Sequence, residues 1–448
     1  MNNLVIKDIL NIINGNLVVG NEDEVLDSFS INTKEINKDD VFIGIKGEKV
    51  DGSKYYLDAL NNGAKGCIIN KGFYNNDVLD DKFVIEVNDT VSALQNLSKY
   101  KRDLCKDLLI VGVTGSVGKT STKDMIASVL SQKYKVLKTL GNHNNELGLP
   151  LTILRIKDEE AVVLEMGMSS LGEISLLSNI ARPRYGVITN VGTAHIGNLG
   201  SRENILKAKL EILDGLQDKL IINNDNDLLH EWYLSNKNDS VVTFGINNES
   251  DYKANNVKYE GKTTFICNDD EYDVLVGGEA FVYNALSAIS IGKLCGLTTE
   301  EIKKGIEELK LTKDRLQIIK TNNYTIIDDC YNANYDSMKE GLSNLKKTNG
   351  KRKIAVLGDM LELGDFEEEL HRKVGKEVVN NNVDILVTVG NASKYIIDEA
   401  KDKLETHAFD TNEDAISYLK SIVKDEDVIL VKASNGMHFM EIVNSLRG

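Results

Sequence analysis

Proline, histidine and long apolar runs are scarce in this 448-residue chain. It has two prolines and six histidines, so domain linkers must be marked by charge and glycine rather than by proline. Low-complexity tracts and short internal repeats are absent. No apolar segment approaches the ~20 residues of a membrane-spanning helix, and the first residues carry no apolar signal core. We therefore expect a cytoplasmic protein without membrane insertion.

Cysteine and basic charge are also limited. The five cysteines are an odd number without Cys-x-x-Cys spacing, which is typical of reduced cytosolic thiols. The chain has 53 basic and 69 acidic residues and a formal net charge of −16. Nucleic acids and anionic membranes need a basic face, so this charge argues against both as partners. The length predicts about three domains, each large enough to bury its own core.

The most informative feature present is a glycine-rich segment at residues 112–123, Gly-Val-Thr-Gly-Ser-Val-Gly-Lys-Thr-Ser-Thr-Lys. It follows the apolar run 108–113 and opens a helical pattern, which is the context of a phosphate-binding loop. Lys119 can reach the β- and γ-phosphates of ATP, and the Thr120 hydroxyl can ligate Mg²⁺. The predicted ATP-binding residues of this loop are Gly115, Ser116, Gly118, Lys119, Thr120 and Ser121. Val113 stands where the usual pattern has glycine, and a chance Gly-Lys-Thr turn is the alternative interpretation.

Strand-like runs alternate with helical patterns along the whole chain and predict an α/β fold. Such runs occupy residues 40–46, 66–70, 161–166, 185–189, 219–223, 240–244, 325–328, 353–357, 384–388 and 427–431. The alternation is typical of βαβ units with largely parallel sheets, and the last four runs indicate a doubly wound unit. We predict a small N-terminal α/β domain (1–105), a central P-loop domain with a parallel sheet (106–312) and a C-terminal Rossmann-like domain (313–448).

Several polar side chains lie in or just after these strands, where ligands bind in parallel α/β sheets. Glu165 interrupts an apolar strand, which is costly unless the carboxylate is paired or bound to metal, and we favour a Mg²⁺ ligand over a buried ion pair. His195 follows another strand, where a hydrogen-bonding loop residue is the alternative. Lys207 and Lys209 lie on a helical stretch, 204–213, and a solvated face is the alternative for both.

Side-chain amides are concentrated in two further segments. Residues 139–150 contain Asn142, Asn144 and Asn145 and are either a ligand loop beside the P-loop or a long turn. Residues 328–334, Asp-Asp-Cys-Tyr-Asn-Ala-Asn, place two carboxylates and two amides directly after a strand. The next strand is followed by a similar pattern.

Taken together, these residues resemble the Mur ligases. Six segments carry the resemblance in order: 112–123, Gly-Asn-His-Asn-Asn-Glu at 141–146, Leu-Glu-Met-Gly-Met at 164–168, Thr-Asn-Val-Gly-Thr-Ala-His at 189–195, 328–334, and Leu-Gly-Asp-Met-Leu-Glu-Leu-Gly at 357–364. The opening domain fits as well, with 32–34 and 43–52 where that family binds its UDP-sugar peptide. The similarity is greatest to the member that joins D-Ala-D-Ala to UDP-N-acetylmuramoyl-tripeptide with ATP in peptidoglycan precursor synthesis.

The resemblance implies a mechanism and roles for individual residues. ATP phosphorylates the terminal carboxylate of the nucleotide-linked peptide, and an amine then attacks the acyl phosphate. Lys119, His195 and Lys209 would be catalytic, and two Mg²⁺ ions would be held, one by Thr120 and Glu165, the other by His195 and a carbamate on Lys209. Further ATP contacts would come from Asn284, Arg315 and Asp329. Substrate contacts would come from Asn32, Thr33, Lys34, Lys46, Gly47, Asn142, Asn144, Asn145, Asn332, Asn334 and Ser434. We expect a monomer.

The chain departs from the family pattern at several positions. Ala280 and Phe281 replace two polar groups near the expected adenine site, Tyr335 replaces a proline, and Asn435 stands where arginine is frequent. Three alternatives stay open: a muramyl tripeptide synthetase, a folylpolyglutamate synthetase and a regulatory module that only binds nucleotide. The sequence leaves open whether the third residue of the peptide is lysine or diaminopimelate.

Overall fold

The computed structural model describes residues 4–76, 81–260, 262–275, 278–310 and 317–447. It confirms an α/β fold with three domains, each built on its own sheet. Arg315, a predicted ATP contact, lies outside the described residues.

The N-terminal domain is built on a five-stranded sheet of order β2-β7-β6-β5-β4. Its elements are β1 Leu4–Val5, α1 Ile6–Ile9, β2 Asn16–Val19, β3 Val25–Leu26, β4 Phe29–Ser30, β5 Val41–Ile43, α2 Tyr56–Asn61, β6 Gly66–Asn70, β7 Phe83–Val87 and α3 Thr90–Leu104, with 3₁₀ turns at Thr33–Glu35 and Gly52–Tyr55. In this sheet β2 pairs antiparallel with β7 and the other pairs are parallel, while β1 and β3 form a separate antiparallel pair. Asp89 caps α3 by accepting the N–H groups of Val91 and Ser92.

The central domain contains a seven-stranded parallel sheet of order β14-β13-β12-β11-β8-β10-β9. Its first elements are β8 Leu109–Thr114, α4 Lys119–Leu130, β9 Val136–Lys138, α5 Gly148–Leu154, β10 Ala161–Glu165, α6 Glu173–Ala181, β11 Tyr185–Ile188, α7 Ile196–Leu199 and α8 Arg202–Leu210, with a 3₁₀ turn at Glu211–Asp214. These are followed by β12 Lys219–Asn223, α9 Asp227–Ser235, β13 Val241–Gly245, β14 Tyr252–Lys253, α10 Glu279–Leu294 and α11 Thr299–Glu307. After β8, the chain forms β9 and β10 on one side of β8 and then crosses to form β11 on the other side. Ligands of parallel sheets bind where the strand order reverses in this way, which here is beside β8.

A small antiparallel sheet in this domain was not predicted from the sequence. It consists of β15 Asn255–Glu260, β16 Lys262–Cys267 and β17 Asp270–Val274. Phe265 and Tyr272 oppose each other on β16 and β17, and both are buried in the apolar cluster that contains α10. This sheet therefore covers one face of the central core rather than extending the parallel sheet.

The C-terminal domain has a six-stranded sheet of order β18-β19-β23-β20-β21-β22, in which β18 is antiparallel to its neighbour. Its elements are β18 Gln317–Lys320, β19 Thr325–Asp328, α12 Tyr335–Lys347, β20 Arg352–Gly358, α13 Glu367–Asn380, β21 Ile385–Val389, α14 Lys394–Ala400, β22 Glu405–Phe409, α15 Asn412–Ile422, β23 Asp427–Lys432 and α16 Met440–Arg447, with 3₁₀ turns at Gly364–Phe366 and Asn435–Met437. Every residue of β23 is buried, as expected for a central parallel strand covered on both faces.

The domains share apolar clusters at their junctions. Ile196 and Leu199 of α7 lie in the same buried cluster as Leu363 of the C-terminal domain. On the other side, Leu154 of α5 lies in the core cluster of the N-terminal domain, and Leu147 packs against that cluster. Within the described ranges no helix is long and apolar enough to cross a membrane.

Candidate active site

The glycine-rich loop joins β8 to α4, as the sequence predicts. Gly118 has φ +81°, in the left-handed region that glycine adopts without strain, and it is the N-cap of α4. The Asn190 side-chain oxygen accepts the N–H groups of Ser116 and Val117, each at 2.9 Å. Lys119 Nζ donates to the Gly115 carbonyl at 2.7 Å. The first turn of α4 thus presents an anion-binding helix N-terminus beside an ordered lysine.

Glu165 ends β10 and faces this loop. Its side chain accepts the Thr120 hydroxyl and the Asn144 amide N–H, each at 2.9 Å, and the residue is 2% exposed. Lys123 Nζ lies 4.0 Å from the same carboxylate, and burial lowers the pKa of that lysine although Asp124 and Glu165 oppose the shift. The structure therefore combines features of the two alternatives for Glu165: the P-loop hydroxyl of Thr120 in contact with its carboxylate, and a buried cation nearby.

His195 follows β11 with φ +62° and is the N-cap of the short helix α7. Its Nδ1 lies 2.7 Å from Glu362 Oε2 of the C-terminal domain. Burial lowers the pKa of His195, with the Glu362 carboxylate acting in the opposite direction. The ring is therefore placed between two domains and is biased toward its neutral form.

The two lysines of α8 have opposite environments. Lys207 is exposed, which agrees with the solvated-face alternative. Lys209 is 2% exposed, so that alternative is wrong for this residue. Burial, reinforced by the charge of Lys119, holds the pKa of Lys209 well below its usual range. In the part of the chain that the structure describes, no carboxylate forms an ion pair with Lys209.

Two adjoining cavities open at this edge of the central sheet. The larger, of about 560 Å³, is lined by the P-loop, Glu165, the 142–146 segment and His195. The smaller, of about 280 Å³, is lined by Leu361, Glu362 and Ser434 of the C-terminal domain together with His195. Both cavities share Asn142, Ala194, His195, Tyr331, Asn332 and Asn334. The carboxyl ends of strands from two domains therefore converge on one connected space.

The predicted amide residues have unequal roles in this space. Asn142 and Asn144 line the larger cavity, and Asn144 also contacts Glu165. Asn145 lines it too, but its side-chain oxygen accepts the N–H of Gly148 at 2.9 Å at the start of α5. Asn334 caps α12 in a reciprocal capping box with Ser337. Helix capping therefore accounts for part of the sequence signal at Asn334, and hydrogen bonding to the backbone at the start of α5 accounts for part of it at Asn145.

A third cavity, of about 290 Å³, lies on the other side of the P-loop between α10 and α12. Asn284 lines it beside Gly118, and its side-chain oxygen accepts the Thr122 hydroxyl at 2.8 Å. Glu340 of α12 also lines it, and burial, with a smaller contribution from Asp329, raises the pKa of Glu340 to about 7. Asp329, a predicted ATP contact, forms a 2.7 Å ion pair with Lys432 and is not among the residues lining this cavity.

The predicted residues of the N-terminal domain lie in two turns. The Asn32 side chain accepts the N–H of Lys34 at the start of the 3₁₀ turn that contains Thr33. Lys46 pairs with Asp51 in an isolated β-bridge, and Gly47 N–H donates to the Val50 carbonyl. These residues are not among those lining the three cavities described above. Ser434 is buried, and its hydroxyl accepts the Leu361 N–H at 2.9 Å.

Sequence reasoning missed Asn190, Lys123, Asp336 and Glu362 as site residues. Asn190 and Glu362 lie inside segments that the sequence had singled out, at 189–195 and 357–364, so a scan of every polar residue in those segments would have found them. Lys123 ends the singled-out segment 112–123, and its role depends on its burial in α4. Asp336 lies in the first turn of α12, and its role depends on the docking of a second domain. Within the described residues, no group of three or more His, Cys, Asp or Glu could hold a metal.

Comparison with known proteins identifies the family. The Mur ligase middle domain matches residues 113–292, and the Mur ligase glutamate ligase domain matches residues 314–435. The chain therefore belongs to the Mur ligase family, as its motifs predicted, and is an ATP-dependent peptide ligase of that family.

Relatives that match over nearly the full length of the chain support the same family assignment. The UDP-N-acetylmuramoyl-tripeptide--D-alanyl-D-alanine ligase of Bacillus subtilis is 38% identical over 98% of both chains, and that of Escherichia coli is 32% identical over 100% of this chain and 99% of its own. A crystal structure of MurF from Acinetobacter baumannii superposes with a TM-score of 0.90, at 28% identity over 99% of both chains. MurF ligase from Thermotoga maritima in complex with ADP gives 0.81, at 30% identity over 94% of this chain and 97% of that one.

Proposed function

We propose that this protein joins D-Ala-D-Ala to UDP-N-acetylmuramoyl-tripeptide at the expense of ATP, in the cytoplasm, during peptidoglycan precursor synthesis. The observation that carries the proposal is the connected pair of cavities, in which a phosphate-binding loop faces polar residues of a second domain. The name shared by the relatives in Bacillus subtilis and Escherichia coli supplies the substrates. The structure of Escherichia coli FolC is 17% identical to this chain, which supports only the fold, so it supplies no substrate for the proposal.

The reaction has two steps. A carboxylate oxygen of the tripeptide attacks the γ-phosphorus of ATP, forming an acyl phosphate and releasing ADP. The dipeptide amine, after losing a proton, then attacks the acyl carbon, and phosphate leaves with the oxygen that attacked phosphorus. Lys119 at the start of α4 would stabilise the charge that develops on the phosphoryl oxygens. The two cavities suit this order, since the larger contains the P-loop and the smaller adjoins it from the C-terminal domain.

The residues around Glu165 fit a magnesium ion. The Thr120 hydroxyl and the Glu165 carboxylate are in contact beside the P-loop, and Mg²⁺ is commonly held by one or two such oxygens together with substrate phosphates. When bound, the ion neutralises charge on the ATP phosphates. Asn144 orients Glu165 by donating to its second oxygen.

A second magnesium ion fits only with a chemical change at Lys209. Without that change, the side chains here offer the Lys119 ammonium, the Lys209 amine and the His195 ring, and the carboxylate in contact is that of Glu362, which lies against His195. We propose that the neutral Lys209 amine attacks CO₂, forming an N–C bond and releasing a proton. The resulting carbamate would supply anionic oxygens beside His195, and burial favours the neutral amine that this step requires.

The three domains divide the substrates among them in this proposal. Residues 1–105 would bind the UDP-sugar peptide through Asn32, Thr33, Lys34, Lys46 and Gly47. Residues 106–312 would bind ATP, with Asn284 at the nucleoside. Residues 313–448 would close over ATP through Arg315 and Asp329 and bind the dipeptide through Asn332, Asn334 and Ser434, and the enzyme would act as a monomer.

Phosphate release from ATP tests the proposed substrates. We expect turnover with UDP-N-acetylmuramoyl-tripeptide only when D-Ala-D-Ala is also present. Turnover of similar rate with L-lysine or L-glutamate in place of the dipeptide would contradict the assignment and favour another member of the family. Nucleotide binding without any turnover would favour the regulatory alternative.

A further inference from the structure

The loop that carries His195 is held by two carboxylate residues of the C-terminal domain. Thr193 donates its backbone N–H and its hydroxyl to Asp336 Oδ2, at 2.6 and 2.8 Å. Glu362 Oε2 lies 2.7 Å from His195 Nδ1, and the Glu362 carbonyl accepts the N–H of Gly197 at 3.2 Å. Asp336 lies in the first turn of α12, and Glu362 lies in the loop after β20. Two elements of the C-terminal domain therefore contact residues 193–197 of the central domain.

Glycines at positions 192 and 197 leave room for this grip. A Cβ on Gly192 would lie 2.2 Å from Asp336 Oδ2, and one on Gly197 would lie 2.6 Å from the Glu362 carbonyl oxygen. Neither glycine has a positive φ, so the backbone conformation does not require glycine at either position. Glycine is needed at these positions because the C-terminal domain approaches the backbone closely there.

Glu362 itself adopts an uncommon conformation. Its φ is +63°, in the left-handed region that few residues other than glycine occupy. Such a conformation persists where the surroundings hold it, and here the side chain contacts His195 while the backbone carbonyl accepts the N–H of Gly197 in the same loop. Its side chain remains 59% exposed, so burial of the side chain does not account for this backbone conformation.

We propose that Asp336 and Glu362 are positioning residues that fix the His195 loop when the C-terminal domain docks. Docking of the C-terminal domain then does two things at once. It completes the smaller cavity, where the dipeptide would bind, and it fixes His195, which lines both cavities. This inference rests on the proposed function, because fixing His195 matters only if its ring takes part in the ligase reaction. Neither residue was predicted as an ATP or metal ligand, although Asp336 also lines the third cavity and Glu362 contacts His195.

A double-mutant cycle tests the contact between the loop and Asp336. At saturating substrates, Gly192→Ala should lower kcat by about 10-fold or more, because the added methyl displaces the Asp336 carboxylate. In an Asp336→Ala background the same substitution should cost less than about 2-fold, since the clash is gone. Effects that multiply in the double variant would overturn the proposal. The matched control is Asp365→Asn. Asp365 is an exposed carboxylate in the 3₁₀ turn Gly364–Phe366, and this variant should retain wild-type kcat.

Hydrogen exchange without substrates gives a readout independent of catalysis. The Thr193 amide donates to Asp336, so Asp336→Ala and Gly192→Ala should both speed exchange in a peptide spanning residues 189–199 by about 10-fold or more. Gly192→Ala leaves α12 intact, which separates the loop contact from any effect on that helix. Unchanged exchange in both variants would overturn the proposal even if the wild-type enzyme ligates D-Ala-D-Ala.

The Glu362 contact is tested by a graded pair of variants. Glu362→Gln keeps an oxygen that can accept from His195, whereas Glu362→Ala removes the side chain. The expected result is a kcat at least about 5-fold higher for the glutamine variant than for the alanine variant, with ATP KM unchanged in both. Equal kcat values in the two variants, or a change confined to KM, would overturn the role of Glu362.

Discussion

At the scale of single residues, Lys209 has the environment that most restricts its chemistry. It is buried beside another lysine and a histidine, which is a poor place for an ammonium group. Lys207, two residues earlier on the same helix, is exposed and provides a matched control. The pair therefore separates the chemistry of the site from the general effect of removing a lysine from α8.

We expect Lys209→Ala to be nearly inactive and acetate to restore part of the rate by placing a carboxylate in the vacated position. Lys207→Ala should retain most activity. Direct detection comes from ¹³C NMR of the wild-type enzyme in labelled bicarbonate, where a carbamate signal should appear and should be missing from Lys209→Ala. A Lys209→Ala enzyme with wild-type turnover in bicarbonate-free buffer would refute the carbamate.

Metal dependence tests Glu165 and His195. Each substitution to alanine removes one group from a cation that binds through few protein ligands, so the Mg²⁺ concentration for half-maximal rate should rise by about 10-fold. Titration of activity with Mg²⁺ at fixed ATP measures this. The same midpoint as wild type in both variants would return Glu165 to a buried ion pair with Lys123 and His195 to an ordinary loop residue.

Glu340 makes stability depend on pH. Its pKa is raised from 4.5 to about 7, so between these values the folded protein keeps a proton that the unfolded chain has released. Stability from this group is therefore complete below pH 4.5 and is lost as pH rises through about 7. Glu340→Gln should reduce the fall in Tm between pH 5 and pH 8 by about 2 °C or more, whereas the exposed Glu369→Gln should not. Parallel pH curves for wild type and Glu340→Gln would contradict this.

At the scale of secondary-structure elements, the neighbouring residues Asn144 and Asn145 are expected to have different roles, one in catalysis and the other in stability. Asn145→Ala removes the side-chain oxygen that accepts the N–H groups of Leu147 and Gly148 at the start of α5, and it should lower the free energy of unfolding by about 1 kcal/mol. Asn144→Ala removes the hydrogen bond to Glu165 and should lower kcat with little loss of stability. Denaturant unfolding and steady-state kinetics on both variants measure the two effects. Equal losses of stability would show that the loop acts as one unit.

The elements that the sequence predicted well are those buried on both faces. The expected strands at 66–70, 219–223 and 325–328 match the structure residue for residue, because continuous apolar runs in parallel sheets leave a clear signal. The sheet formed by β15, β16 and β17 was missed, because its strands carry many polar residues and pack through one face only.

The site was predictable to the extent that it lies in strand-end motifs. Thr120, Glu165 and Asn144 were predicted from sequence and are in contact. The burial of Lys209 was not readable from α8, where its neighbour Lys207 is exposed. The contacts of Asp336 and Glu362 with the His195 loop depend on docking between domains, which no local pattern encodes.

At the scale of the whole molecule, the three domains are joined through the site itself. Ile196, the residue after His195, belongs to the apolar cluster that contains Leu363, and Leu154 of α5, the helix that follows the asparagine-rich segment, belongs to the N-terminal core. Each flanking domain therefore supports one wall of the larger cavity. This arrangement suits a reaction in which an acyl phosphate must be kept from water until the amine arrives.

Transfer of oxygen from the peptide to phosphate tests this account most directly. UDP-N-acetylmuramoyl-tripeptide labelled with ¹⁸O in its terminal carboxylate is converted with ATP and D-Ala-D-Ala, and the released phosphate is examined by mass spectrometry. If the carboxylate oxygen attacks phosphorus and later leaves with it, each phosphate formed from fully labelled peptide carries one ¹⁸O atom. Unlabelled phosphate, formed at the same rate as the amide product, would contradict an acyl-phosphate ligase.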